Sequence, residues 1–145
     1  IPLVERGGWP IVLIGILSVA MGYSYTAGPF PLACLGLGDL FVVLFFGLIA
    51  VGGVYYLHTA TLSLGVFAMG LQVGFLSTVL IAINNLRDHV GDAKVNKKTL
   101  AVRFGVSFVR YEIAMLALLP FVIGLHWFLN GPGLWLHYVE GLCIW

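Results

Sequence analysis

The sequence predicts an all-α fold, a polytopic bundle of transmembrane helices, and three observations carry that expectation. The 145 residues are 61% hydrophobic and only 9% charged, where a soluble domain holds roughly 25% charged residues. The mean hydropathy is +1.05. The apolar residues gather in long runs that are apolar all round, as in Leu40–Val51, whereas strands of a membrane barrel alternate apolar and polar positions.

A helix crosses a hydrocarbon core of about 30 Å with about 20 residues. The first candidate span, Trp9–Tyr25, is slightly short. Asp39–Leu57 is the second and Leu62–Ile83 the third. Phe108–Leu129 is the fourth, interrupted by Arg110 and Glu112 near its start and by Pro120 inside it. A fifth begins near Tyr138 and stops at Trp145. The chain starts without Met and stops inside an apolar run, so it reads as a fragment with about four complete spans and a truncated fifth. The first apolar stretch lacks the basic flank and cleavage site of a signal peptide. No repeat, low-complexity tract or soluble insertion divides the chain, which predicts one partial membrane domain over residues 1–145. Gly70-x-x-x-Gly74 predicts a close helix contact. Trp9, Trp127, Trp135 and Tyr138 look like an interfacial aromatic belt. Cys34 and Cys143 have neither ligand spacing nor a disulfide framework around them.

Charge sets the expected orientation. Six of the seven basic residues lie between Arg87 and Arg110, and short loops rich in Lys and Arg face the cytoplasm. Stepping back one span puts His58–Thr61 outside, and a second step puts Thr26–Gly38 inside. The Thr26–Gly38 loop and the charged segment should therefore share one face. Glu5, Arg6 and the loop Asn130–His137 belong to the other. Nothing in this sparse charge calls for a nucleic-acid partner; the lipid bilayer is the expected surroundings.

The charged segment holds the candidate chemistry. Asn84, Asp88 and Asp92 are spaced by four, which stacks them on one face of a helix. Lys94, Lys97, Lys98 and Arg103 follow. Magnesium takes oxygen ligands, keeps several waters, and is often completed by one or two carboxylates and substrate phosphates. Neighbouring cations can neutralise the phosphate oxygens left over. The pattern therefore suggests a metal–diphosphate site at a membrane surface. The plain alternatives are a solvated topology signal, or acids paired with Arg87 or Lys94. Acids contribute little to orientation, which leaves their spacing unexplained by the first. His58, His126 and His137 lie near the opposite face without ligand spacing, and His89 points away from the acids' face. Asp39 sits where a helix should begin and is expected to be its N-cap. Tyr25, at a span end, reads as an interfacial aromatic.

Asn84-Asn85-Leu86-Arg87-Asp88, Asp92 and Lys97-Lys98-Thr99-Leu100-Ala101-Val102-Arg103-Phe104-Gly105 together resemble the second Asp-rich motif of the UbiA superfamily of intramembrane prenyltransferases. Tyr25-Thr26-Ala27-Gly28-Pro29 and Gly36-Leu37-Gly38-Asp39-Leu40-Phe41 look like signatures of its branch acting on 1,4-dihydroxy-2-naphthoate. Asn96 and Ala27 depart mildly, each standing where the family commonly has Gly. The family's first Asp-rich motif is not among these residues. The resemblance implies a ring of about nine helices around a cavity, of which this chain would supply about half. It implies a polyprenyl diphosphate donor, a dihydroxynaphthoate-type acceptor and Mg2+. It further implies Asn84, Asp88 and Asp92 as metal ligands, Asp88 and Asp92 as the catalytic acids, and Tyr25, Lys97, Lys98 and Arg103 as substrate-binding residues. The diphosphate leaves, an allylic cation forms, and the aromatic ring attacks it, with loss of carbon dioxide in this branch. The implied role is in menaquinone or phylloquinone synthesis, in a bacterial inner membrane with the site loops facing the cytoplasm. A branch with a different aromatic acceptor, a transporter fragment and a structural membrane subunit are the alternatives. A transporter would place its ionisable residues nearer the membrane midplane.

Overall fold

The computed structural model describes residues 2–26, 32 and 34–130, all of whose regular structure is helical. Helix α1 is Pro2–Thr26 and α2 is Gly38–Val42. A π-helical stretch, Val43–Ile49, joins α2 directly to α3, Ala50–Thr59. Helices α4, Leu64–Lys94, and α5, Leu100–Asn130, complete the order. Four runs are long and apolar enough to cross a membrane: Leu3–Tyr25, Gly38–Thr59, Leu64–Lys94 and Leu100–Leu125. They correspond to the four complete spans expected from the sequence. The fifth, with Trp135, His137, Tyr138 and Cys143, lies outside the described residues, as do Ala27, Gly28 and Pro29.

Helix α4 is the centre of the arrangement. It packs against the π-helical stretch on one side and α5 on the other, while α1 touches α3. Its start is marked by Ser63, in an extended conformation, whose side chain accepts from the Val66 N–H at 3.4 Å. Gly47, Gly70 and Gly74 are all buried where α4 meets the π-helical stretch. A Cβ on Gly74 would come within 2.8 Å of the Val43 carbonyl oxygen, and one on Gly70 within 3.2 Å of the Gly47 oxygen. The backbones thus touch along the seam, as the Gly70-x-x-x-Gly74 spacing predicts. Farther along α4, Thr78 donates to the Gly74 oxygen at 2.8 Å and lies 3.4 Å from the Asp39 oxygen, which ties the start of α2 to α4.

On the other side, Gln72 donates to the Pro120 carbonyl of α5 at 2.7 Å. Such a bond satisfies a side-chain amide that would otherwise be unpaired between apolar spans. Ala82, Ala101 and Val109 form a small buried cluster between α4 and α5, with Leu86, Leu100 and Ile113 against it.

Two boundaries differ from the sequence reading. Helix α4 runs on past Ile83 to Lys94, and α5 begins at Leu100 rather than Phe108. Residues Asn84–Lys94 contain no proline and are mostly tolerant of helix, so the helix outlasts its apolar part. At 1.5 Å per residue its 31 residues run about 46 Å, longer than the hydrocarbon core. In α5 the early start is accommodated by a break at Gly105, with φ 85° and ψ 170°.

Candidate functional site

Asn84, Asp88 and Asp92 all fall on the last three turns of α4, so the four-residue spacing does place them along one side of a helix. Their surroundings differ. Asp92 is buried, while Asn84 and Asp88 are exposed. The Asp88 carboxylate is gripped by the neighbouring Arg87, Nε to Oδ1 and Nη2 to Oδ2, each at 2.8 Å. Both side chains are open to solvent, and an exposed pair of this kind is worth at most about 1 kcal/mol. Arg87 can therefore be exchanged for another cation at little cost.

Asp92 is held by the turn that follows. Asn96 adopts φ 56°, in the left-handed region, where Gly and Asn are the residues that fit with least strain. That explains why Asn can stand where the family commonly has Gly. The turn brings the Lys97 N–H to the Asp92 carbonyl at 2.9 Å, and the Lys97 ammonium to Asp92 Oδ2 at 3.1 Å. Asp92 has less side-chain exposure than Asp88, 12% against 49%, so its charge is less screened and its pairing matters more.

The loop before α2 closes on the same turn. The Lys98 N–H donates to the Cys34 carbonyl at 2.9 Å. Gly36, at φ 72°, leaves no room for a side chain: a Cβ would lie 2.6 Å from the Lys98 oxygen and 3.3 Å from Arg103 Nε. The two segments that topology alone assigns to one face are thus in direct contact. Tyr25 completes the group from α1. Its ring tilts against Phe41 at a centroid distance of 5.4 Å, and its hydroxyl is within electrostatic reach of both Asp39 and Lys97.

Of the residues singled out from the sequence, Asp92, Lys97 and Tyr25 are therefore brought together, with Arg103 and Lys98 around them through Gly36 and Cys34. Asp88 and Asn84 lie one and two turns back along α4. His89 turns its Nδ1 to the Leu86 carbonyl at 2.7 Å, away from the acids. His58 closes α3, and the His126 side chain lies outside the described residues.

Asp39 is not the N-cap. Leu37 occupies that position, no side chain caps the helix, and Asp39 falls inside the first turn. The helix starts two residues earlier than an Asp39 cap would set it, at Gly38, and the carboxylate turns inward: Asp39 is 6% exposed, and its Oδ1 has no hydrogen-bond partner among the described residues. Glu112 of α5, which the sequence shows only as an interruption of a span, also has a buried and unpartnered oxygen, Oε2. An acid inside a span is a functional signal in its own right, and that signal was available in the sequence.

Oxygen donors suit a hard divalent cation, and Asp88, Asp92 and the Asn84 amide offer oxygens from one side of α4. No group of three or more His, Cys, Asp and Glu side chains converges among the described residues. A cation here would draw the rest of its shell from water and from the phosphate oxygens of a ligand.

The model of the UbiA prenyltransferase family matches residues 6–145. The chain is 45% identical over 92 residues to the 1,4-dihydroxy-2-naphthoate octaprenyltransferase of Haemophilus influenzae, covering 63% of this chain and 30% of that protein. It is 39% identical over 106 residues to the enzyme of the same name from Escherichia coli, covering 72% and 34%. It is 30% identical over 100 residues to the 2-carboxy-1,4-naphthoquinone phytyltransferase of Synechocystis, covering 68% and 32%. The chain thus spans about a third of the length of these curated relatives. No solved structure matches it.

Proposed function

The chain belongs to the UbiA prenyltransferase family, and on that premise we propose that its residues 1–145 form part of a membrane domain that transfers a prenyl chain from a polyprenyl diphosphate to 1,4-dihydroxy-2-naphthoate. The names of the similar proteins support the reaction class and the naphthoate acceptor. The observation that carries the assignment to particular residues is the end of α4, where Asp92 pairs with Lys97 one turn beyond Asp88, and Lys98 and Arg103 of the next turn close around Gly36.

In this reading Asp88 and Asp92, with Asn84, would hold Mg2+ beside the donor diphosphate. The metal, when bound, neutralises charge on the departing diphosphate. Arg87 yields Asp88, and Lys97 turns from Asp92 towards a phosphate oxygen, as a point charge on a flexible stem can. Arg103 and Lys98 hold the remaining oxygens, and Tyr25 lines the approach to the acceptor. Fixed cations aimed at the leaving group stabilise the charge that develops as the allylic C–O bond breaks. The apolar spans supply a dry wall for the prenyl chain and keep water from the allylic cation. The site faces the cytoplasm of a bacterial inner membrane.

Purified complete protein, given Mg2+, a polyprenyl diphosphate and dihydroxynaphthoate, should release the prenylated, decarboxylated product and carbon dioxide, and chelation of the metal should stop it. No product with any hydroxylated aromatic acceptor would overturn the reading. These 145 residues contain one of the family's two Asp-rich segments, so by themselves they should give no product. For the orientation, cysteines placed at Leu35 and Ala93 of the complete protein, with native cysteines removed, should react with an impermeant thiol reagent from the cytoplasmic side, and one at Ala60 from the other. Labelling of Leu35 and Ala93 from opposite sides would break the topology.

A further inference from the structure

Asp39 and Glu112 are the two acids that the proposed diphosphate chemistry does not use. They come from different helices, α2 and α5, and Asp39 lies close enough for its charge to act on Glu112. Each keeps one carboxylate oxygen buried with no partner among the described residues: Asp39 Oδ1 and Glu112 Oε2. Asp39 is more than nine-tenths buried. A buried carboxylate oxygen without a donor is costly, and two of them within electrostatic reach cost more.

The position of the pair matters as much as its composition. Thr78 holds the Asp39 backbone against α4. Tyr25 is within electrostatic reach of both Asp39 and Lys97, and Lys97 is bonded to Asp92. Asp92, Lys97, Tyr25, Asp39 and Glu112 are thus each within electrostatic reach of the next. One end suits a diphosphate and its metal. At the other, Asp39 shares its short helix with Phe41, whose ring tilts against Tyr25 and stacks on Phe45 at 4.4 Å. Glu112 as a whole is part-buried, so a ligand would reach its buried oxygen by a side-chain turn.

We propose that Asp39 and Glu112 are the recognition point for the hydroxyl groups of the aromatic acceptor, each carboxylate taking a hydrogen bond from an acceptor O–H. This role presupposes the prenyl transfer proposed above and adds to it the residues that choose the acceptor. Two hydroxyls on one aromatic ring supply the donors that the two orphaned oxygens need, and an aryl ether of the same shape does not. A site built to hydrogen-bond a hydroxyl rejects an analogue that lacks it, because its buried groups are then left unpaired.

The test compares Asp39→Asn, Glu112→Gln and Asp39→Glu with the unsubstituted complete protein. Two things are measured: KM for donor and for acceptor, and equilibrium binding of dihydroxynaphthoate and its dimethyl ether without prenyl diphosphate. The Asn and Gln variants should raise the acceptor KM about tenfold or more, the scale of one hydrogen bond to a charged group, and leave the donor KM within about twofold. The unsubstituted protein should prefer the diol to the ether, the Asn and Gln variants should lose most of that preference, and Asp39→Glu should keep it. An unchanged acceptor KM and an unchanged diol preference would overturn the proposal while leaving prenyl transfer intact. So would a parallel rise in both KM values, which marks a structural role, or a shifted Mg2+ requirement, which marks a cation site. If the unsubstituted protein prenylates no hydroxylated aromatic, the function itself fails, and the binding comparison alone decides the pair.

Discussion

Between Leu64 and Ala82, helix α4 buries Val66, Gly70, Gly74, Thr78 and Ala82, a stripe with a residue every fourth position; between Ile83 and Lys94 it buries only Asp92. The first part has its burying face filled by small or branched residues, and a neighbouring backbone lies directly on the glycines. The second part is open, carries acids and cations, and is held by ion pairs. The same helix thus uses one register for two purposes. Substitutions in the first part should cost the fold, and substitutions in the second should cost chemistry while the helix survives.

The largest effect is expected at the glycine seam. Gly74→Leu puts a side chain where even a Cβ would be 2.8 Å from the Val43 oxygen, so α4 and the π-helical stretch must part. Overpacking in a close-packed interior costs about 1–3 kcal/mol or more, and backbone against backbone has no side chain to give way. The complete protein carrying it should melt well below the unsubstituted one in detergent, and an unchanged Tm would show that the seam is not tight.

Next come Asp92→Asn and Asp88→Asn, which keep shape and remove charge. Each should lower kcat by about 10²-fold or more, the scale of losing one preorganised electrostatic contact, with Tm nearly unchanged. Near-full activity in both would erase the distinction between the two parts of α4. A smaller effect is expected in the turn between α4 and α5. Asn96→Val places a β-branched residue at φ 56° and should destabilise by about 1–2 kcal/mol, whereas Asn96→Gly should be close to neutral; equal losses would show that the turn does not need this conformation. The smallest effect is expected for Lys94→Gln. Lys94 lies off the side shared by Asn84, Asp88 and Asp92 and is exposed, so assays should find kcat within about threefold of the original.

The spans, the close glycine contact and the shared face of two distant loops were legible from the sequence because each rests on a strong local signal: long apolar runs, a four-residue glycine spacing, and the alternation of sides with each span. The end of α4 was placed too early because hydropathy reports the membrane boundary and not the helix boundary, and nothing after Ile83 breaks a helix. Asp39 shows a second kind of limit. An acid near a helix start is an N-cap or a first-turn residue depending on a shift of one or two residues, here two, and that shift decides whether its carboxylate faces the backbone ends or the interior. The pairing of Asp92 with Lys97 needed the left-handed turn at Asn96, which the sequence marks only by the residue type. Glu112 and Asp39 are 73 positions apart in the sequence, and no local pattern could join them.

The central claim is that the polar end of α4 holds a metal–diphosphate. The most direct measurement is calorimetric binding of a non-ionising thiolo analogue of the prenyl diphosphate to the complete protein, with and without Mg2+. For the unsubstituted protein, affinity should rise steeply with Mg2+, and Asp88→Asn and Asp92→Asn should each remove most of that metal-dependent gain while leaving the weaker metal-free binding through Lys97, Lys98 and Arg103 in place. Metal-dependent affinity that survives in both variants would contradict the account and move the diphosphate away from α4.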